Sequence, residues 1–221
     1  MENLKRLLKQ LGANSTEREI VSTFQEIAEM LLNEFHIVKG TQEYYFADIE
    51  FYFCNKNHLD LITYPRQAEE GKWFFHQSGV DLTFESAYST FGDNRVDTNK
   101  DFHYGGILVR EVMKVNSKEV FDGPYKCEWE LFDMFDAFNP TCREMQILVH
   151  NTNRIDIEPK SFPRCFSYND ERMEKKYKEL QETVYYGNLP VSLEAFCSFI
   201  KEEKYAYRIS RDELKSRIMS L

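Results

Sequence analysis

The 221-residue sequence holds only nine glycines and six prolines, and nowhere do they gather into a linker. Joints between domains are commonly rich in Pro, Gly or polar residues. A chain of this length without one reads as a single well-cored domain over residues 1–221, with 1–19 as an N-terminal helical extension. Paired cysteines are missing as well: Cys54, Cys127, Cys142, Cys165 and Cys197 are scattered, odd in number and free of any C-x-x-C spacing, the pattern of free thiols in a reducing cytoplasm. No H-x-x-x-H or Cys/His cluster occurs, so no metal and no cofactor is expected, and His58 and His76 read as ordinary hydrogen-bonded histidines. No G-x-S-x-G elbow surrounds a serine. No run of about 18 apolar residues is present, and the N-terminal residues lead into an amphipathic pattern instead of a signal-peptide apolar region; neither secretion nor membrane spanning is expected. Basic residues are few, 28 against 37 acidic, for a net charge of -9. That balance excludes a protein whose main business is an unspecific grip on a phosphate backbone, since such grip comes from Lys and Arg displacing counterions, while leaving a local basic groove open.

What the chain has in abundance is aromatic rings, 18 Phe, 13 Tyr and 2 Trp. The densest run is Tyr44-Tyr45-Phe46-Ala47-Asp48-Ile49-Glu50-Phe51-Tyr52-Phe53. Read as a strand, it puts Tyr45, Ala47, Ile49, Phe51 and Phe53 on an apolar face, and Tyr44, Phe46, Asp48, Glu50 and Tyr52 on the other. A carboxylate among rings is costly to bury unless it is paired or hydrogen-bonded, so a pocket is one place where such a face makes sense, and Glu50 is the first candidate for chemistry. The competing reading is a sheet face open to water, where both acids are solvated.

Around this run the periodicity alternates between helix and strand. Leu4, Leu7, Leu8 and Leu11 recur at helical spacing up to Gly12; Ser15-Thr16-Glu17-Arg18-Glu19 then offers a cap for a second helix with a stripe of Ile20, Phe24, Ile27, Ala28, Leu31 and Leu32. Short strands are expected at 35–38, at 73–84 with a bend or bulge at Gly79, and from Ile107 after a turn at Gly105-Gly106. A helix should follow Gly123-Pro124 and end near Asn139-Pro140. Strands at 145–149 and 154–157, helices at 170–184 and 192–203, a strand at 205–209 and a terminal helix complete the reading. Residues 86–103 have loop chemistry, and Asp81 and Glu85 read as surface acids paired with Lys or Arg.

The order of these fragments resembles the alkyladenine (3-methyladenine) DNA glycosylase family. Asp48-Ile49-Glu50-Phe51-Tyr52 is similar to its Glu-x-Tyr signature, Trp73 to Phe84 to its glycine-interrupted aromatic strand, Ile107-Leu108-Val109-Arg110 to its Leu-Leu-Arg strand, and Gly123-Pro124-Tyr125-Lys126 to its Gly-Pro-Gly-Lys turn. Ser161-Phe162-Pro163-Arg164 and Tyr207-Arg208-Ile209 are similar to its Pro-Arg and Trp-Arg-Phe elements. The resemblance, which spans roughly 20–210, implies an α+β fold, a curved and mainly antiparallel sheet surrounded by helices. It implies hydrolysis of an N-glycosidic bond on a modified or exposed purine, with Glu50 deprotonating water. Tyr52 and Phe75 would stack on the base, His58 would make a polar contact, and Arg110 would hold a phosphate or position the water's neighbours. The partner would be a nucleobase, a nucleoside or a nucleic acid with an exposed base. Two features depart from the family: its Arg-Asn-Met-Phe-containing segment has no counterpart between Asn57 and Gly71, and Ser78 stands where the family inserts a tyrosine into the duplex, which weakens the implication of double-stranded DNA. The alternative is a non-catalytic base-binding or protein-interaction module on the same fold. An acidic protein that mimics nucleic acid fits the charge but not the pocket.

Overall fold

The computed structural model describes residues 1–88, 95–132, 146–165, 169–186 and 191–219. Two helices open it, α1 (Glu2–Gln10) and α2 (Glu17–Asn33), the second started by a capping box in which Thr16 and Glu19 satisfy each other's backbone amides. The strands β1 (Phe35–Lys39), β2 (Gln42–Asn55), β3 (His58–Leu59), β4 (Trp73–His76) and β5 (Gly79–Thr83) follow. After them come β6 (Val96–Asp97), β7 (His103–Lys114), β8 (Val120–Asp122), α3 (Pro124–Phe132), β9 (Gln146–His150) and β10 (Lys160–Phe162). The chain finishes with α4 (Asp170–Thr183), β11 (Tyr185–Tyr186), α5 (Leu193–Glu202), β12 (Ala206–Arg208) and α6 (Arg211–Met219).

Among the described residues ten strands form one curled antiparallel sheet with the path β10-β12-β2-β7-β5-β4, to which β1, β3, β8 and β9 add at the sides; β6 and β11 make a separate parallel pair. The expected fold class, a single α+β domain with helices around a curved antiparallel sheet, describes the molecule. Among the described residues no helix is long and apolar enough to cross a membrane.

The 14-residue β2 is the spine, because it is paired on both sides, with β7 along nearly its whole length and with β12 at Asp48, Ile49 and Glu50. Its apolar face lies on α2, where Phe51 stacks on Phe24 at 4.6 Å and Tyr205 and Phe84 close the cluster. Burying each of these rings contributes about 1.5–3 kcal/mol. The segment 1–19 is part of the same core and no appendage: Leu4, Leu7, Leu8 and Leu11 are buried in it, the Glu85 amide donates to Leu8 O at 2.9 Å, and the buried Asn55 side chain donates to Gly12 O and Ser15 O.

Three expected elements take other forms. Residues 73–84 are two strands and no bent single one, because Gly79, at φ +135°, closes a hairpin in which His76 faces it. Residues 154–157 form no ladder; the amides of Ile155 and Ile157 go instead to the main chain and side chain of Asn33 at the end of α2. Gly105 and Gly106 lie inside β7 and make no turn. The expected helix end near Asn139-Pro140, Met145 of the expected strand, Gly92-Asp93-Asn94 and Cys142 lie outside the described residues.

Asp48 shows what the spine does to acids. It is buried, and Arg208 from β12 donates to its Oδ2 at 2.7 and 3.0 Å, yet burial outweighs that cation and pushes the carboxyl up from 3.8 to about 6. The folded chain therefore holds this proton more tightly than the unfolded chain. The stability Asp48 contributes is fully present below about pH 4 and is lost as pH rises through about 6. Asp48→Asn, which mimics the protonated form, should gain on the wild type by about 2 kcal/mol between pH 4 and pH 6.5 in denaturant titrations. A stability gap that does not move with pH would contradict this.

Candidate functional site

The polar face of β2 turns away from α2. Glu50 lies across from Leu108 of β7 and Tyr52 from Gly106, so β7 offers Gly106, Leu108 and Arg110 beside them. This floor, the β4–β5 hairpin, the 62–66 loop, the start of α3, Cys165 and one face of α4 enclose a cavity of about 460 Å³.

Glu50 is 1% exposed, so the reading of a water-solvated acid face does not describe it. Its Oε1 accepts from the Cys165 amide at 2.8 Å and its Oε2 from the Tyr52 hydroxyl at 2.8 Å, while Arg110 Nε stands 3.6 Å from Oε1. Burial and the neighbouring Glu50 carboxylate raise the Tyr52 phenol well above its ordinary value, so Tyr52 remains a donor. The carboxylate thus meets one amide, one hydroxyl and one guanidinium, with further acceptor capacity on each oxygen.

A second set of groups sits on the opposite wall. Asp81, expected at the surface, is 1% exposed; its Oδ2 lies 2.8 Å from Arg66 Nη2, and His76 Nε2 bonds its Oδ1 at 2.9 Å. The Ser78 amide donates to His76 Nδ1 at 3.1 Å, which assigns the proton to Nε2 and leaves neither ring nitrogen free to act as a base. Tyr64 packs on the His76 ring at 4.5 Å, and the Tyr125 hydroxyl donates to Gln77 O across the rim. Thr63 Oγ1, Arg66 Nη1 and Arg110 Nε are buried without hydrogen-bond partners among the described residues, while Arg66 Nη2 is taken by its ion pair with Asp81. All belong to residues that line this one cavity.

Of the five residues singled out from sequence, three meet here: Glu50, Tyr52 and Arg110. His58 does not. It is 3% exposed beneath β2, its ring 5.2 Å from Phe199 and 5.5 Å from Tyr205, and burial lowers its pKa. Phe75 does not either; it is 45% exposed and meets Phe132 edge-on at 4.9 Å. Strand alternation explains this, because the face that carries Phe74, which lies under the Arg66 guanidinium, and His76 is the cavity side, and Trp73 and Phe75 point the other way. Tyr64, Arg66, His76, Asp81 and Cys165 were not foreseen. The signal available was His76 and Asp81 on either side of the turn glycine Gly79: once the hairpin is drawn, His76 faces Gly79 and Asp81 faces Phe74, which puts both polar side chains on one face. Among the described residues no three His, Cys, Asp or Glu groups converge as a metal site.

No family model matches the chain, and no solved structure matches it. An uncharacterized protein of Acanthamoeba polyphaga mimivirus is 26% identical over 128 residues, a stretch covering 51% of this chain and 58% of the viral protein. The chain thus matches less than two thirds of that relative's length.

The glycine beneath the second wall should be intolerant of change. A Cβ at Gly106 would lie 2.6 Å from Arg66 Nη1 and 2.7 Å from Asp81 Oδ2, both buried and held. Gly106→Ala should lower stability by about 1–3 kcal/mol in thermal denaturation, whereas Gly12→Ala, with nothing within 4 Å of its Cβ, should leave it nearly unchanged.

Proposed function

We propose that the cavity receives a single base-bearing sugar, as a nucleoside, a nucleotide or an unpaired nucleic-acid residue, and that Glu50 activates water to hydrolyse its N-glycosidic bond. The observation that carries this reading is a carboxylate that is almost wholly buried yet lines a cavity, held by Tyr52, Cys165 and Arg110 among rings. In this reaction Glu50 takes a proton from water while the oxygen bonds to the anomeric carbon. The glycosidic bond breaks as that bond forms, and the base leaves with its electron pair and takes up a proton, so that one water is divided between the sugar hydroxyl and the free base. Such a base must lie within hydrogen-bond reach of the water and out of bulk solvent. Arg110 opposes the charge on Glu50, and Tyr52 together with the neighbouring rings of Tyr64 and His76 supplies flat surfaces for a base.

The cavity's volume lies within the range of about 300–1,000 Å³ that small-molecule sites occupy. Its unpartnered buried groups are all able to donate, which suits a ligand as rich in acceptors as a nucleobase. The net charge of -9 and Ser78 at the hairpin turn favour a free or unpaired substrate over a base extruded from duplex DNA.

A binding module is the second reading. It is favoured by the fact that each Glu50 oxygen already accepts one protein hydrogen bond, the arrangement a purely positional carboxylate also takes.

Chromatography of free base released from a nucleoside panel, nucleotides, RNA, and alkylated single- and double-stranded DNA distinguishes them. Hydrolysis should appear on the unpaired substrates and fall at least about 100-fold in Glu50→Gln. Binding of a base without release, equal in both proteins, would replace the enzyme with the module.

A further inference from the structure

Directly behind the Glu50 site lies an ion pair that the chemistry above does not use. Arg164 and Asp60 have side chains 0% and 1% exposed, and the guanidinium grips the carboxylate with both prongs, Nη1 to Oδ2 at 2.6 Å and Nη2 to Oδ1 at 3.0 Å. The same Nη1 donates to Phe51 O at 3.2 Å, and the guanidinium carbon lies 4.5 Å from the centre of the Tyr52 ring. Asp60 is placed by the tight β2–β3 hairpin and a turn in which the Thr63 amide bonds its carbonyl.

One side chain therefore touches the main chain between Glu50 and Tyr52, the face of Tyr52, and a loop from the far end of that hairpin. It also belongs to the residue just before Cys165, whose amide bonds Glu50. Replacing a buried ion pair by apolar groups of similar volume is often neutral or stabilising, so net stability is a poor reason to keep one. A planar fork held at both prongs does fix orientation.

We propose that the Asp60–Arg164 pair is the positioning element of the Glu50 site: it locks the 164–165 peptide so that the Cys165 amide stays aimed at Glu50 Oε1, and it backs the Tyr52 ring so that its hydroxyl stays on Oε2. Arg164 acts through Cys165 and Tyr52 and has no contact with the ligand. The effect on turnover rests on the hydrolysis proposed above; the geometric effect on Glu50's donors does not.

The test is nuclear magnetic resonance on the Asp60→Leu/Arg164→Met double variant, which removes both charges and keeps the volume, with hydrogen exchange read at each amide. Positioning requires Cys165 N–H to lose protection at least tenfold and its proton shift to move, while Val109 and Val112 in β7 keep theirs. An unchanged Cys165 amide, or an equal loss at all three, would overturn the proposal and leave the pair a contributor to global stability. Should the double variant fail to fold, Arg164→Lys, which keeps the charge and gives up the two-pronged grip, carries the same readout with the same two outcomes. Base release, if the wild type shows it, should fall about 10–100-fold in the variants, as is usual when the groups that orient a site are removed. A wild type without base release would sink the hydrolase reading and leave the exchange result to decide on the positioning pair.

Discussion

Acids buried in and beside the central strands of the sheet must each find a donor, and that constraint organises this molecule. Asp48, Glu50, Asp60, Asp81 and Glu111 are all buried, and each is met by an arginine: Arg208 for Asp48, Arg164 for Asp60 and Arg66 for Asp81. Glu111 shares Arg211 with Asp122, and Glu50 has Arg110 together with two neutral donors. An isolated ionised carboxylate in such surroundings would cost far more than a folded domain's margin. The loops between the strands are consequently tethered by what they bring to the acids. The 62–66 loop brings Arg66, the segment after β10 brings Arg164 and the Cys165 amide, and the turn into α6 brings Arg211.

Glu50 differs from the other four in the company it keeps. Asp48, Asp60, Asp81 and Glu111 are gripped at short range by charged nitrogen, whereas the nearest approach of Arg110 to Glu50 is 3.6 Å and the short contacts come from a phenol and a main-chain amide. The close charged contacts of the other four put a guanidinium on at least one oxygen, whereas the oxygens of Glu50 keep acceptor capacity toward the cavity. Glu50 also lies on the wall of the cavity, as Asp81 does, but Asp81 is closed off by Arg66 and His76.

Much of this was legible in the sequence, and the exceptions have physical causes. The aromatic run at 44–53 announced β2 because period-two alternation there is unbroken, and Glu50 with Tyr52 two residues on had to share a face. Arg110 was reached only through the family resemblance of 107–110, and the pairing of β7 with β2 brings it to the same cavity. Phe75 went astray because the parity of β4 is set by where the hairpin turns: a break at Gln77–Ser78 turns Phe74 and His76 inward, while a continuous bent strand leaves that choice open. His58 faces away because it follows the tight turn at Lys56–Asn57, which no periodicity reports. Asp81 looked like a surface acid because its cation, Arg66, lies in a segment without regular structure, and Arg164 is 104 residues from Asp60. Pairings at that range leave no local trace in composition.

The double pairing of β2 also sets an order in time. Its β12 neighbour is made long after it, since Arg208 stands 160 residues beyond Asp48. On a ribosome that synthesises from the N-terminus, the spine of the sheet emerges early with one hydrogen-bonding edge open, its most aromatic stretch uncovered and two of its acids without their later partners. Open strand edges and exposed rings are what chaperones recognise and what aggregates. The site cannot form before β12 has been made, and the same architecture that buries Glu50 so completely leaves one edge of β2 open until then.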